Sequence, residues 1–173
     1  MNYFQHHPRI GVAVLLSNNP SALALERARK FGVPSRVFDG QQFRQSDEVL
    51  RWLKEFEVTH IVLAGFLWLL PENLIDRFPD KIVNIHPSLL PKFGGKGMYG
   101  MKVHEAVKVS GESETGITIH LVNSRYDEGK ILHQTSCKIL STDSPLEIAA
   151  KVYALEYTTY PRIIEQWVLS DKN

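Results

Sequence analysis

Up to His86 the chain alternates between short apolar, β-branched runs and segments whose apolar residues recur at helical spacing. "RIGVAVLLS" (9–17) suits a buried strand. "NPSALALERARKFG" (19–32) reads as a helix with Leu25, Ala28 and Phe31 on one side and Gly32 as its stop. Val33-Pro34 opens a second extended piece, "PSRVFD". Residues 46–57 form another helical pattern, with Ser46 as N-cap and Val49, Leu50, Leu53 and Phe56 facing inward. "THIVLAGF" (59–66) predicts a strand, Pro71 begins a helix over 71–78, and "KIVNIH" (81–86) predicts a further strand. Strands separated by helices of this length lead to a mostly parallel sheet with helices on both faces, because a parallel return needs a crossover.

The second half changes character. "ETGITIHLVN" and "KILHQTSCKIL" both alternate apolar and polar residues, and "SRYDEG" joins them as a turn, which predicts an antiparallel hairpin. "DSPLEIAAKVYALEYTTYP" opens with a capping box, Ser144 with Glu147, and carries a buried stripe of Ile148, Val152 and Leu155. Pro161 is expected to kink or end that helix. No repeat or linker interrupts the chain, so the expectation is one α/β domain over residues 1–173.

Composition narrows the function. Of the 173 residues 43% are hydrophobic and 23% charged, ordinary for a globular protein. The longest apolar stretch, Ile61 to Pro71, is too short to span a bilayer. The opening "MNYFQHHPR" lacks the parts of a signal peptide, so a cytoplasmic setting is expected. Cys137 is the single cysteine, which rules out an intramolecular disulfide and a multi-cysteine metal site. Twenty basic residues balance nineteen acidic ones without a long run of either sign. Neither nucleic acid nor a membrane surface is indicated as partner, and a small ligand is the better expectation.

The residues suited to chemistry cluster around "KIVNIHPSLLPKFGG". Asn84 and His86 are two apart on a strand, so both side chains leave the same face. They close a parallel strand at its C-terminal end, where open α/β sheets place their ligands. The alternative is a pair of strand-end polar groups satisfied by nearby backbone. Pro87 and Pro91 are expected to hold the following segment extended, beside the glycines of "GGKGMYG". Asp127 is a second candidate: a turn aspartate commonly bonds its own backbone, but folded against His86 it would favour the imidazolium and raise the ring's pKa.

"VLAGFLWLLPENLI", "NIHPSLLPKF", "GITIHLVN", "YDEGKILHQ" and "ALEYTTYPRII" follow one another in the order and spacing of the folate-dependent glycinamide ribonucleotide formyltransferases, a family this chain resembles from about Gly11 to Trp167. The resemblance implies an open, Rossmann-like sheet and transfer of the formyl group of 10-formyltetrahydrofolate to the amine of glycinamide ribonucleotide. It implies direct attack by the amine, with neither a covalent enzyme intermediate nor a metal. Residue by residue, His86 matches the catalytic histidine, Asn84 the group that holds the formyl oxygen, and Asp127 the aspartate that tunes the histidine and orders water. Leu67, Trp68, Leu69 and Leu70 match the segment lining the pterin pocket, with Trp68 where many members carry arginine. Glu156 matches the carboxylate that receives the ribose hydroxyls, and Pro87 lies with it on the nucleotide side. His120 matches a histidine that supports the catalytic group from behind, and His104 is given no chemistry.

The match begins late in the family's first helix. The family's first strand and its phosphate-binding loop have no counterpart here, so the expectation is a sheet lacking an interior strand, with exposed edges that favour self-association. Weakened binding of the nucleotide phosphate is the companion expectation.

Overall fold

The computed structural model describes residues 1–170, which form two compact units, Met1–Thr59 and a second from His60 onward. In the first unit, β1 (Leu15–Ser17) pairs in parallel with β2 (Ser35–Val37), Leu15 opposite Ser35 and Ser17 opposite Val37. Helix α1 (Leu23–Lys30) makes the crossover between them, as a parallel return requires. The strand expected over 9–17 is ladder-paired only at its last three residues. Ahead of it, the Arg9 and Ile10 amides bond the His7 ring nitrogen Nδ1 at 3.2 and 2.9 Å, a local turn that supplies partners a neighbouring strand would otherwise provide. Two helices close the unit, α2 (Gly40–Arg44) and α3 (Glu48–Glu55). Phe38 and Phe43 stack with ring centroids 5.0 Å apart, and Val49 and Leu53 are buried on α3.

Ser46 is not the cap of α3. Its hydroxyl donates to the Gln42 carbonyl at 2.9 Å, closing the end of α2, and Asp47 occupies the N-cap position. The short helix α2 has the capping box instead: Asp39 accepts from the Gln41 and Gln42 amides while the Gln42 side chain accepts from the Asp39 amide.

The second unit is built on a four-stranded sheet in the order β3 (Ile61–Leu63), β4 (Ile82–His86), β5 (Glu114–Leu121), β6 (Ile131–Lys138). The pair β3–β4 is parallel, joined across α4 (Glu72–Arg77), and Leu63 faces Asn84. The pairs β4–β5 and β5–β6 are antiparallel, so the expected C-terminal hairpin continues the sheet from β4. Helix α5 (Met101–Ser110) precedes β5, and α6 (Pro145–Ser170) follows β6. The Ser144–Glu147 capping box forms in both directions: the Ser144 amide donates to Glu147 at 2.7 Å and the Glu147 amide to the Ser144 hydroxyl at 3.3 Å. Pro161 does not end α6, which runs on to Ser170 with Ile163, Ile164 and Val168 buried beyond it. That burial offsets the lost amide donor. Val103, Val107, Ile139 and Ile148 form a core joined by Phe93 and Met98.

One strand departs from its pattern in a way that matters for the site. "ETGITIHLVN" alternates apolar and polar residues, yet Thr115 to Leu121 are all buried. Thr118 and His120 are 0% and 2% exposed, and each has hydrogen-bond partners that make its burial tolerable.

Candidate active site

Strand β4 ends in Asn84 and His86, and the chain then turns sharply. The prolines do not hold this segment extended as expected. Residues 87–93 fold back as bends and turns, tied down by a knot of polar groups. The Thr118 hydroxyl donates to the Ser88 carbonyl at 2.7 Å while accepting from the Leu90 amide at 3.0 Å and from Gln134 Nε2 at 2.8 Å. Gln134 also donates to the Leu90 carbonyl at 3.0 Å, and Ser88 Oγ to the Lys92 carbonyl at 2.6 Å. The turn thereby brings two backbone groups to the site. The Phe93 carbonyl accepts from His86 Nε2 at 2.8 Å, and the Gly95 amide donates to Asp127 Oδ2 at 2.8 Å.

Asp127 reaches the site from the β5–β6 turn, in a left-handed conformation with φ 57°. Its Oδ2 lies 3.5 Å from His86 Nδ1 and its Oδ1 lies 3.6 Å from His120 Nε2, so one carboxylate stands between two imidazoles. The sequence-based pairing of Asp127 with His86 is therefore present in the geometry. The turn closes through Gly129, where a Cβ would sit 1.7 Å from the Leu121 carbonyl oxygen, so no side chain fits there.

The electrostatics refine the expectation for His86. Burial pushes its pKa below the ordinary histidine value; Asp127 and the Phe93 carbonyl pull it upward without overcoming that, and His120 adds to the lowering. The resting ring is thus neutral, with the hydrogen on Nε2 and an open lone pair at Nδ1. For Asp127, burial would raise the pKa, but the His120 and His86 rings and the Gly95 amide together outweigh it and hold the carboxyl below its ordinary value. Asn84 Nδ2 lies 3.2 Å from His120 Nε2, and His120 Nδ1 donates to the Leu121 carbonyl at 2.8 Å.

Asn84, His86, His120 and Asp127 are therefore gathered into one polar cluster. The remaining predicted residues lie elsewhere in the same unit. Leu67 to Leu70 form a loop after β3, with Leu67 and Leu69 52% and 41% exposed, Leu70 buried, and Trp68 edge-on to Phe66 with centroids 6.0 Å apart. Pro87, half-buried, follows His86 directly. Glu156 lies on α6, one turn before Tyr160, whose hydroxyl donates to the Leu63 and Val83 carbonyls at 2.8 and 3.4 Å. Burial raises the Glu156 pKa, and its carboxylate has no hydrogen-bond partner among the described residues. Sequence reasoning missed Thr118, Gln134 and the two backbone groups of the turn. Thr118 had a signal, being two residues from His120 on one strand; the backbone groups had none.

What this cluster can do is bind a carbonyl oxygen through the Asn84 amide while His86 Nδ1 accepts a proton beside a carboxylate. Residues 2–164 match the formyl transferase family model. The chain is 41% identical over 158 residues to a chloroplastic phosphoribosylglycinamide formyltransferase of Arabidopsis thaliana, covering 88% of this chain and 54% of the relative. It is 35% identical over 158 residues to the phosphoribosylglycinamide formyltransferase of Haemophilus influenzae, covering 89% and 72%. The crystal structure of the Bacillus halodurans phosphoribosylglycinamide formyltransferase superposes with a TM-score of 0.84 at 30% identity, covering 95% of this chain and 84% of that one. The chain spans about half the length of the plant relatives it matches. With its α/β fold and its polar cluster beside β4, the chain belongs to the formyl transferase family, among relatives named phosphoribosylglycinamide formyltransferase.

Proposed function

We propose that the protein transfers the formyl group of 10-formyltetrahydrofolate to the primary amine of glycinamide ribonucleotide, a step of purine synthesis in the cytoplasm. The observation that carries this reading is the convergence of Asn84, His86 and Asp127 at the end of β4. The substrate amine attacks the formyl carbon, whose carbonyl becomes a tetrahedral oxyanion held by an Asn84 N–H. Neutral His86 takes the amine's proton at Nδ1, and the imidazolium so formed faces Asp127 and donates to the oxyanion. The bond from carbon to N10 of the folate then breaks as the imidazolium of His86 returns that proton to N10, which releases tetrahydrofolate and restores the neutral ring. Donors aimed at such an oxyanion contribute roughly 10² to 10³ in rate, and a tuned acid–base group roughly 10² to 10⁴.

In this reading Leu67, Trp68, Leu69 and Leu70 line the pterin side, which fits the exposure of Leu67 and Leu69. Glu156 receives the ribose hydroxyls, which fits a half-buried carboxylate without a partner, and Pro87 borders the nucleotide. The folate is a cosubstrate, and no step calls for a metal. The test is to supply 10-formyltetrahydrofolate with and without glycinamide ribonucleotide and follow tetrahydrofolate release. Turnover that requires the nucleotide is expected. Deformylation without it would mean a hydrolase, and folate binding without either activity would mean a non-catalytic binding protein. A calorimetric titration with the nucleotide alone measures that half of the site separately.

A further inference from the structure

Phe93 is the one aromatic residue at positive φ, 56°, among the described residues. A bulky side chain avoids that region unless its surroundings force it there. Two sets of contacts do so. The Phe93 ring packs against the core of Val103, Val107, Ile139 and Ile148. On its N-terminal side, the Lys92 carbonyl accepts from Ser88 Oγ at 2.6 Å. Ser88 is 0% exposed, so bulk water does not compete for that bond, and its own carbonyl is held by the Thr118 hydroxyl at 2.7 Å. What the strained bend delivers lies at the site. The Phe93 carbonyl accepts from His86 Nε2 at 2.8 Å, and two residues on, the Gly95 amide donates to Asp127 Oδ2 at 2.8 Å. One short stretch of backbone therefore touches both the histidine and the carboxylate beside it.

We infer that Ser88 is a positioning residue, whose hydroxyl fixes the Lys92–Phe93 peptide and thereby turns the Phe93 carbonyl onto His86 Nε2. The ring then rests with its hydrogen on Nε2 and its lone pair on Nδ1, 3.5 Å from Asp127 Oδ2. Once the Lys92 carbonyl is released, that peptide is free to rotate. Phe93 relaxes toward the ordinary negative φ, and its carbonyl swings away from the histidine. The ring thereby loses the acceptor that selects its tautomer. A ring with its hydrogen on Nδ1 cannot take the substrate amine's proton there. The amine in that step rests on the function proposed above; the bend and the tautomer do not. Control runs from the Ser88 hydroxyl through the turn to the imidazole.

The test compares the native protein with Ser88→Ala, which removes the donor at little change of volume, and Ser88→Cys, which restores a weak donor. Proton–nitrogen NMR of the histidine rings, with His86 assigned by its disappearance in His86→Asn, reads the tautomer directly. A single protected proton on Nε2 and a bare Nδ1 are expected in the native protein. In Ser88→Ala the two ring nitrogens should shift toward one another as both tautomers become populated. The Gly95 amide should exchange about tenfold faster, the factor set by one lost hydrogen bond. Ser88→Cys should fall between. The amides of Ile117 and Ile119, on the interior strand β5, should exchange as in the native protein, because the effect is local. Turnover in Ser88→Ala is expected to fall about 10- to 100-fold, because a slightly misplaced group already costs that much. Nucleotide KM should change by less than about threefold, the mark of an interaction made in the transition state. A His86 ring and a Gly95 amide unaltered in Ser88→Ala would overturn the inference. So would a loss in step with Ile117 and Ile119, which marks general loosening, or native turnover from a protein whose tautomer has changed. If Ser88→Ala does not fold, Ser88→Cys is judged by the same criteria. The NMR result stands whether or not the native protein transfers a formyl group, so the two readings fail separately.

Discussion

Asp127 occupies a left-handed backbone conformation that aspartate tolerates better than most residues, and that bend is what aims its two oxygens at different histidines. Its charge opposes the lowering of the His86 pKa by burial, so Asp127→Asn should move the NMR titration midpoint of His86 further down and cut turnover by about 10². An unmoved midpoint would mean the two groups are not coupled. Glu156 gives the opposite kind of prediction. Its folded-state pKa is raised, so at pH values well above 4.5 folding keeps a charge where burial disfavours it, and that cost disappears as acid protonates the group in both states. Glu156→Gln should therefore raise Tm by about 1–3 °C at neutral pH, the scale set for chains of this length, with the gain vanishing in acid. A thermal melt series across pH checks it, and a lower Tm at neutral pH would contradict it. At this scale the sequence made Asn84 and His86 legible, because two polar residues at the end of an apolar strand have few structural uses. The resting state of His86 was not legible: neighbours raise its pKa, but only a fold reveals how much water is gone.

Element by element, the signals that survived were those with a local physical cause. The Ser144–Glu147 box predicted the start of α6 because both halves of the cap lie within one turn of sequence. Ser144→Ala should cost about 1 kcal/mol of stability. That corresponds to a Tm lower by about 2–4 °C in calorimetry, while an unchanged Tm would mean the cap is redundant. The same reasoning explains the missed helix α2, whose Asp39–Gln42 box was equally visible in "DGQQ" but lies outside any apolar repeat. Long-range causes left weaker traces. The run 9–17 has strand composition throughout, yet pairing is decided by a neighbour, and only Leu15 to Ser17 have one. Strand β5 alternates Thr118 and His120 with isoleucines, yet both are buried; their partners come from residues 16 or more positions away, or from the next residue's own backbone. Pro161 looked like a stop because the cost of a lost amide is local, whereas the burial of the residues beyond it is not.

For the molecule as a whole, the two sheets carry open flanks among the described residues: β1 pairs only with β2, and β3 only with β4. Strand β6 adds an outer edge with Ile131 44% exposed. Unpaired strand edges are templates for association, and a net charge of only +1 opposes it weakly. Sedimentation velocity over a range of concentrations should therefore show a sedimentation coefficient that rises with concentration; a single concentration-independent monomer would refute this. The parallel pairings and the C-terminal hairpin were readable from sequence because crossover length and turn chemistry dictate them, whereas the division into two units depends on contacts no single segment encodes. Gly129 joins these scales. The carbonyl that a side chain there would strike, Leu121, is the same one that holds the proton of His120 in place. One added methyl group would therefore disturb the hairpin mouth and the backbone carbonyl that His120 bonds, both at once. A map of ligand contacts would pass over this residue, while a screen for lost activity would return to it repeatedly, so the footprint of vulnerability in this fold extends beyond the footprint of binding.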